Sequence, residues 1–124
     1  MSDLEEFIEA YARSYETYDP ARVAEFIHCP CMFFLRDACV LLETDAKVSE
    51  FMRAGLENYR ANDCIHFNAQ LLQQRRIGPR FALIDVEWTT RNADGETTMN
   101  FTTTYNLVSV GARWKVSMIT RHDE

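Results

Sequence analysis

A chain of 124 residues, 47% of them hydrophobic and 26% charged, is sized and composed for one globular domain with a core of its own, residues 1–124. Its net charge of −6 argues against a nucleic-acid partner, and the cluster Arg75, Arg76, Arg80 is too small to reverse that. No apolar run approaches the roughly 20 residues that cross a bilayer, and the acidic start Ser2-Asp3-Leu4-Glu5-Glu6 lacks a secretory pattern. The expectation is a cytoplasmic domain without membrane association.

Ser2 followed by Glu5 forms a capping box, and Leu4, Phe7, Ile8, Tyr11, Tyr15 and Tyr18 then recur at helical spacing. This predicts a helix over 3–18. Asp19-Pro20 starts a second helix, aspartate as the cap and proline in the first turn, with Val23, Phe26 and Ile27 buried and Pro30 as its stop. Cys29-Pro30-Cys31 beside His28 has the wrong spacing for a zinc knuckle, and no second pair follows. With Cys39 and Cys64 these cysteines read as small packing residues. No metal and no organic cofactor is implied.

Met32–Leu35 and Cys39–Leu42 read as a short hairpin turning at Arg36-Asp37-Ala38. Thr44 or Asp45 caps a third helix with Val48, Phe51, Met52, Leu56 and Tyr59 on its apolar stripe, ending near Asn62. Gly55 at the edge of that stripe suggests close approach of another backbone. Ile65, Phe67, Ala69 and Leu71 begin a long strand, and Gly78-Pro79 turns it back.

From Phe81 to Thr120 the pattern has period two, as in half-buried strands. Ala82, Ile84, Val86 and Trp88 share one face. Asn92-Ala93-Asp94-Gly95 makes a turn. Met99, Phe101, Thr103, Tyr105 and Leu107 share the next inner face, and Trp114, Val116 and Met118 the last, after Gly111. By the same parity His122 points inward, while Leu72, Phe81, Leu83, Val108 and Ile119 lie outside among threonines and asparagines. Such an outer face suits a sheet-to-sheet homodimer. The element order predicts an α+β fold, with a strongly curved sheet wrapped around a long helix.

The helix ending in Tyr18-Asp19-Pro20-Ala21-Arg22-Val23-Ala24-Glu25-Phe26, the hairpin before Thr44-Asp45, and the closing Tyr105-Asn106-Leu107 and Arg113-Trp114-Lys115-Val116 together resemble the nuclear-transport-factor-2-like (SnoaL-like) superfamily. The resemblance spans essentially the whole chain. It implies a cystatin-like, cone-shaped α+β barrel with a mixed or antiparallel sheet, a pocket on the concave side, and a convex side that is often a homodimer interface. Members include ketosteroid isomerases, scytalone dehydratases, limonene epoxide hydrolases, polyketide cyclases and non-catalytic domains, so the fold does not decide the activity.

Compared with the ketosteroid isomerases, Tyr11 matches their oxyanion-binding tyrosine, standing eight residues before Asp19. Their catalytic base falls at Leu35, with Asp37 two residues later, and their second acid falls at Tyr105. The resemblance thus implies Tyr11, Asp37 and Tyr105 as donor, base and donor of any isomerase, dehydratase or cyclase chemistry. The acids after Asp63 face outward (Asp85, Glu87) or sit at turns and the tail (Asp94, Glu96, Asp123, Glu124), so no carboxylate projects inward from the long strands. Tyr15, Tyr59, Trp88 and Thr103 complete an aromatic, hydroxyl-bearing pocket suited to a small apolar or aromatic molecule. The other reading is a non-catalytic homodimerisation or ligand-sensing module with a filled cone.

Overall fold

The computed structural model describes residues 2–122; Met1, Asp123 and Glu124 lie outside the described residues. Helix α1 (Asp3–Glu16) is closed at its start by a capping box: Ser2 Oγ accepts from the Glu5 amide while Glu5 takes the Ser2 amide. Helix α2 (Pro20–Ala24) is capped by Asp19, whose carboxylate accepts from the Ala21 amide at 3.0 Å. Strands β1 (Ile27–Phe34) and β2 (Cys39–Leu42) form the hairpin, and helix α3 (Asp45–Ala61) starts at the Thr44 cap. Four long strands follow: β3 (His66–Ile77), β4 (Phe81–Arg91), β5 (Thr97–Val110) and β6 (Arg113–His122).

All six strands form one curved sheet in the order β2-β1-β6-β5-β4-β3. Every pair is antiparallel except β1 with β6, which is parallel, so the sheet is mixed. The helices cover its concave side. The core there joins Leu4, Tyr11, Val48 and Leu56 of the helices to Phe67, Ile84, Trp88 and Leu107 of the sheet. At the β4–β5 turn Gly95 takes φ +82, and Asn92 Oδ1 accepts from the amides of Asp94 and Glu96, both at 3.0 Å. At the far end Asp3 ties α1 to the sheet. It pairs with Arg76 and accepts from Trp114 Nε1 at 3.0 Å. Arg76, and then Trp114, hold the Asp3 carboxyl down at about 2.

Four expectations need correction. Pro30 does not end a helix: α2 stops at Ala24, and β1 has already begun at Ile27. The parallel ladder to β6 skips from Ile27 to Met32, so Pro30 lies in an irregular stretch where its missing N–H breaks no ladder bond. Gly55 meets no close backbone; a Cβ built there would have nothing within 4 Å. Ile65 precedes β3 and is 46% exposed rather than inward-facing.

The fourth correction changes the pocket. In β6, Val116 pairs with Leu107 but Met118 with Asn106, so Ser117 is an extra residue, a β-bulge. Its hydroxyl donates to the Asn106 carbonyl at 3.1 Å. Beyond the bulge the alternation changes phase. Ile119, expected outside, is buried inside. Met118 shares a cross-strand row with outward Leu83 and Asn106, and His122, expected inside, is exposed and hydrogen-bonded to Thr104 Oγ1 at 2.7 Å.

Candidate functional site

The mouth of the cone is built by α1, α3 and strands β1, β3, β4, β5 and β6. Tyr11 and Tyr15, one turn apart on the stripe of α1, point at the sheet, and their hydroxyls lie 2.9 Å apart. Tyr59 comes down from α3, its ring 6.0 Å from that of Tyr15. From below, Trp88 Nε1 donates to the Tyr105 hydroxyl at 2.9 Å, and both side chains are buried. Thr103, one pleat along β5 from Tyr105, is buried as well. Phe33, Phe67, Phe101 and Ile119 fill the walls. Arg121, cross-strand from Thr103, lays its guanidinium carbon 4.1 Å from the centre of the Phe101 ring.

These side chains enclose about 30 Å³ of free space. That is room for one or two water molecules, against the roughly 150 Å³ of a cavity known to take a benzene. Tyr11, Tyr15, Tyr59, Trp88, Thr103 and Tyr105 therefore converge as the sequence suggests, but they converge by packing on one another. Asp37 does not join them. It is exposed in the β1–β2 turn and does not line the cavity. Among the described residues no aspartate or glutamate lines it.

Chemistry in this setting is limited. Burial raises the tyrosine hydroxyls: Tyr11 and Tyr105 well above the ordinary value, Tyr15 upward too, and Tyr59 to about 12 despite the opposing pull of Arg121. All four stay neutral at physiological pH. They can donate a hydrogen bond but cannot serve as a base. Cys31, also buried, is pushed to about 12, chiefly by burial, and offers no thiolate nucleophile. Ile119 and Arg121 are the site residues that strand parity hides. The sequence carries their alternation with Thr120, but nothing in it marks the bulge at Ser117 that sets its phase.

The fold recurs in solved structures. An NTF-2-like protein of unknown function from Shewanella oneidensis MR-1 matches with a TM-score of 0.76 at 12% identity, over 98% of this chain and 97% of that one. A domain of unknown function with a cystatin-like fold from Nostoc punctiforme PCC 73102 matches with a TM-score of 0.76 at 10% identity, over 98% and 75%. A putative calcium/calmodulin dependent protein kinase II association domain from Xanthomonas campestris matches with a TM-score of 0.69 at 9% identity, over 98% and 86%. At such identities the likeness is one of fold alone. None of the curated proteins compared matches the chain. A family model does, over residues 2–124, and the chain belongs to the family described as NTF2-like protein (DUF6841).

Proposed function

We propose that this domain is a non-catalytic homodimerisation module. The observation that carries the reading is the filled cone: aromatic rings occupy it to within about 30 Å³, and no carboxylate lines it among the described residues. General acid–base catalysis needs a titrating group within hydrogen-bond reach of a substrate, and here there is neither the group nor the room.

The convex face supports the dimer. Cross-strand register aligns Ile77 and Phe81 with Val108, itself buried, in one outward row and Leu83, Asn106 and Met118 in the next. Leu72, at the β3 bulge, adds to them. Leu72, Ile77 and Phe81 are 47%, 44% and 48% exposed, more apolar surface than a solvated sheet face needs. Light scattering at micromolar concentration should give twice the chain mass for the native protein. Leu83→Asp, on the same face, should give a monomer with unchanged far-ultraviolet circular dichroism. A native protein that is monomeric under these conditions overturns the reading.

A second reading keeps the pocket as a binding site for a small aromatic molecule, reached by swinging Tyr59 or Phe33 aside. It is favoured by four tyrosines, Thr103 and Arg121 lining one cavity, a lining more polar than a closed core requires. Catalysis of the isomerase, dehydratase or cyclase kind is not part of it, because Asp37 stands outside the cone.

A further inference from the structure

Strand β3 is an edge of the sheet, and α1 runs beside it in the opposite direction, with Asp3 near Arg76 and Glu16 near Phe67. At Phe67 the helix stands in for a missing strand. The Phe67 amide donates to Glu16 Oε2 at 2.9 Å, and the Phe67 carbonyl accepts from the Arg13 guanidinium. Both backbone groups of Phe67 therefore point away from β4. In an antiparallel ladder this direction recurs at every second residue. The register to β4 is unbroken from His66 to Leu71, so Ala69 and Leu71 present their N–H and C=O outward in the same way. Among the described residues no side chain of α1 hydrogen-bonds to the main chain there, as Glu16 and Arg13 do at Phe67. An open groove of about 380 Å³ lies instead between this edge and the helix, walled by Glu5, Ile8 and Glu9 on one side and residues 68–71 on the other. The bulge between Leu71 and Gln73 ends the regular edge.

We propose that this groove takes an extended basic peptide as a seventh strand. Its main chain would pair with Ala69 and Leu71, continuing outward from the pairing that Glu16 and Arg13 supply at Phe67. Main-chain pairing along a free edge supplies affinity, and alternate side chains supply selectivity. One set of those side chains would face Ile8, Glu5 and Glu9. Glu5 is held by the Ser2 amide and Glu9 stands 3.9 Å from Arg13 at the surface, so both carboxylates remain at the wall of the groove. With a chain charge of −6 around them they select lysine or arginine. A second copy of the chain fits worse. Edge-to-edge pairing about a two-fold axis would set the two α1 helices on the same side, and each already reaches out to the edge. A lone peptide strand brings no helix with it. This inference does not depend on the convex-face dimer.

The test uses a capped hexapeptide of alternating lysine and valine, with a glutamate–valine hexapeptide as its counterpart. Amide exchange followed by nuclear magnetic resonance should show the Ala69 and Leu71 amides slowing by at least about tenfold with the first peptide and unchanged with the second. Leu71→Pro removes an N–H that bonds to no strand of the sheet, a place where an edge tolerates proline. It should weaken binding of the lysine peptide by at least about tenfold. Glu9→Gln, which removes a wall charge without setting a like charge beside Arg13, should weaken it as well. Unchanged exchange at both amides under saturating lysine peptide overturns the proposal, as does equal binding of the two peptides. Protection that instead grows with protein concentration in the absence of peptide would assign the edge to a second copy and overturn it as well.

Discussion

Inside the core Tyr105 accepts from Trp88 Nε1 at 2.9 Å, and Thr103 is a second side-chain partner of its hydroxyl. Tyr105→Phe keeps the ring and deletes the acceptor, leaving a buried indole N–H without its partner. A lost partner of this kind costs about 1–2 kcal/mol. Urea denaturation should show that loss with an unchanged slope, because the surface exposed on unfolding stays the same. The loss should be equal at pH 6 and pH 8. The folded-state value of Tyr105 is raised, so its neutral form, favoured by folding, is fully populated in both states below the ordinary tyrosine value. Only above about pH 10, where the unfolded chain ionises first, does that contribution to stability fall. The two ends of this bond were legible in the sequence, because Trp88 and Tyr105 share an inward parity that no irregularity disturbs. Arg121 was not. It lies past the Ser117 bulge, and a single inserted residue moves every later side chain to the opposite face.

At the scale of elements, α1 and α3 were readable because their apolar stripes and their caps agree. Ser2 and Thr44 each bond an amide three residues on, as the local pattern requires. The boundary between α2 and β1 was not readable. Val23, Phe26 and Ile27 fit a helical stripe as well as they fit a helix end followed by a strand, and Pro30 is compatible with either. Tertiary pairing decides it: the Val116 amide donates to the Phe26 carbonyl at 2.8 Å, drawing the chain into the sheet at Ile27. Gly55 tests the description of α3. It is a helical residue with open space where a side chain would stand. Gly55→Ala therefore gains helix propensity with no steric penalty and should stabilise the fold by about 0.5–1 kcal/mol. A rise in the thermal midpoint of a few degrees would show it. A fall would mean that α3 packs more tightly at that point than the structure has it.

On the scale of the whole molecule, the convex face carries charge in a self-complementary order. Arg75 and Arg80 lie at its apolar end, and Arg80 sits 5.4 Å from the centre of the Phe81 ring. Asp85 and Glu87 follow Leu83 along the same face of β4. In the proposed dimer, a two-fold axis that reverses the strand direction would lay the arginine end of one protomer on the carboxylate end of the other. Apolar rows meeting between such ends would give an isologous contact whose affinity rests on burial and whose orientation rests on charge. Two consequences separate this arrangement from apolar association without a register. The proposed dimer should weaken as salt rises from low to about 0.5 M, because pairs at the rim of such a contact would be screened. Arg75→Glu, which sets like charges across the axis twice per dimer, should raise the dissociation constant by about tenfold or more, while Arg75→Gln should do much less. Sedimentation velocity across a dilution series measures both. A dimer that tightens with salt and ignores Arg75→Glu would be held by burial alone, and the proposed orientation would have to be given up even though the dimer itself stood.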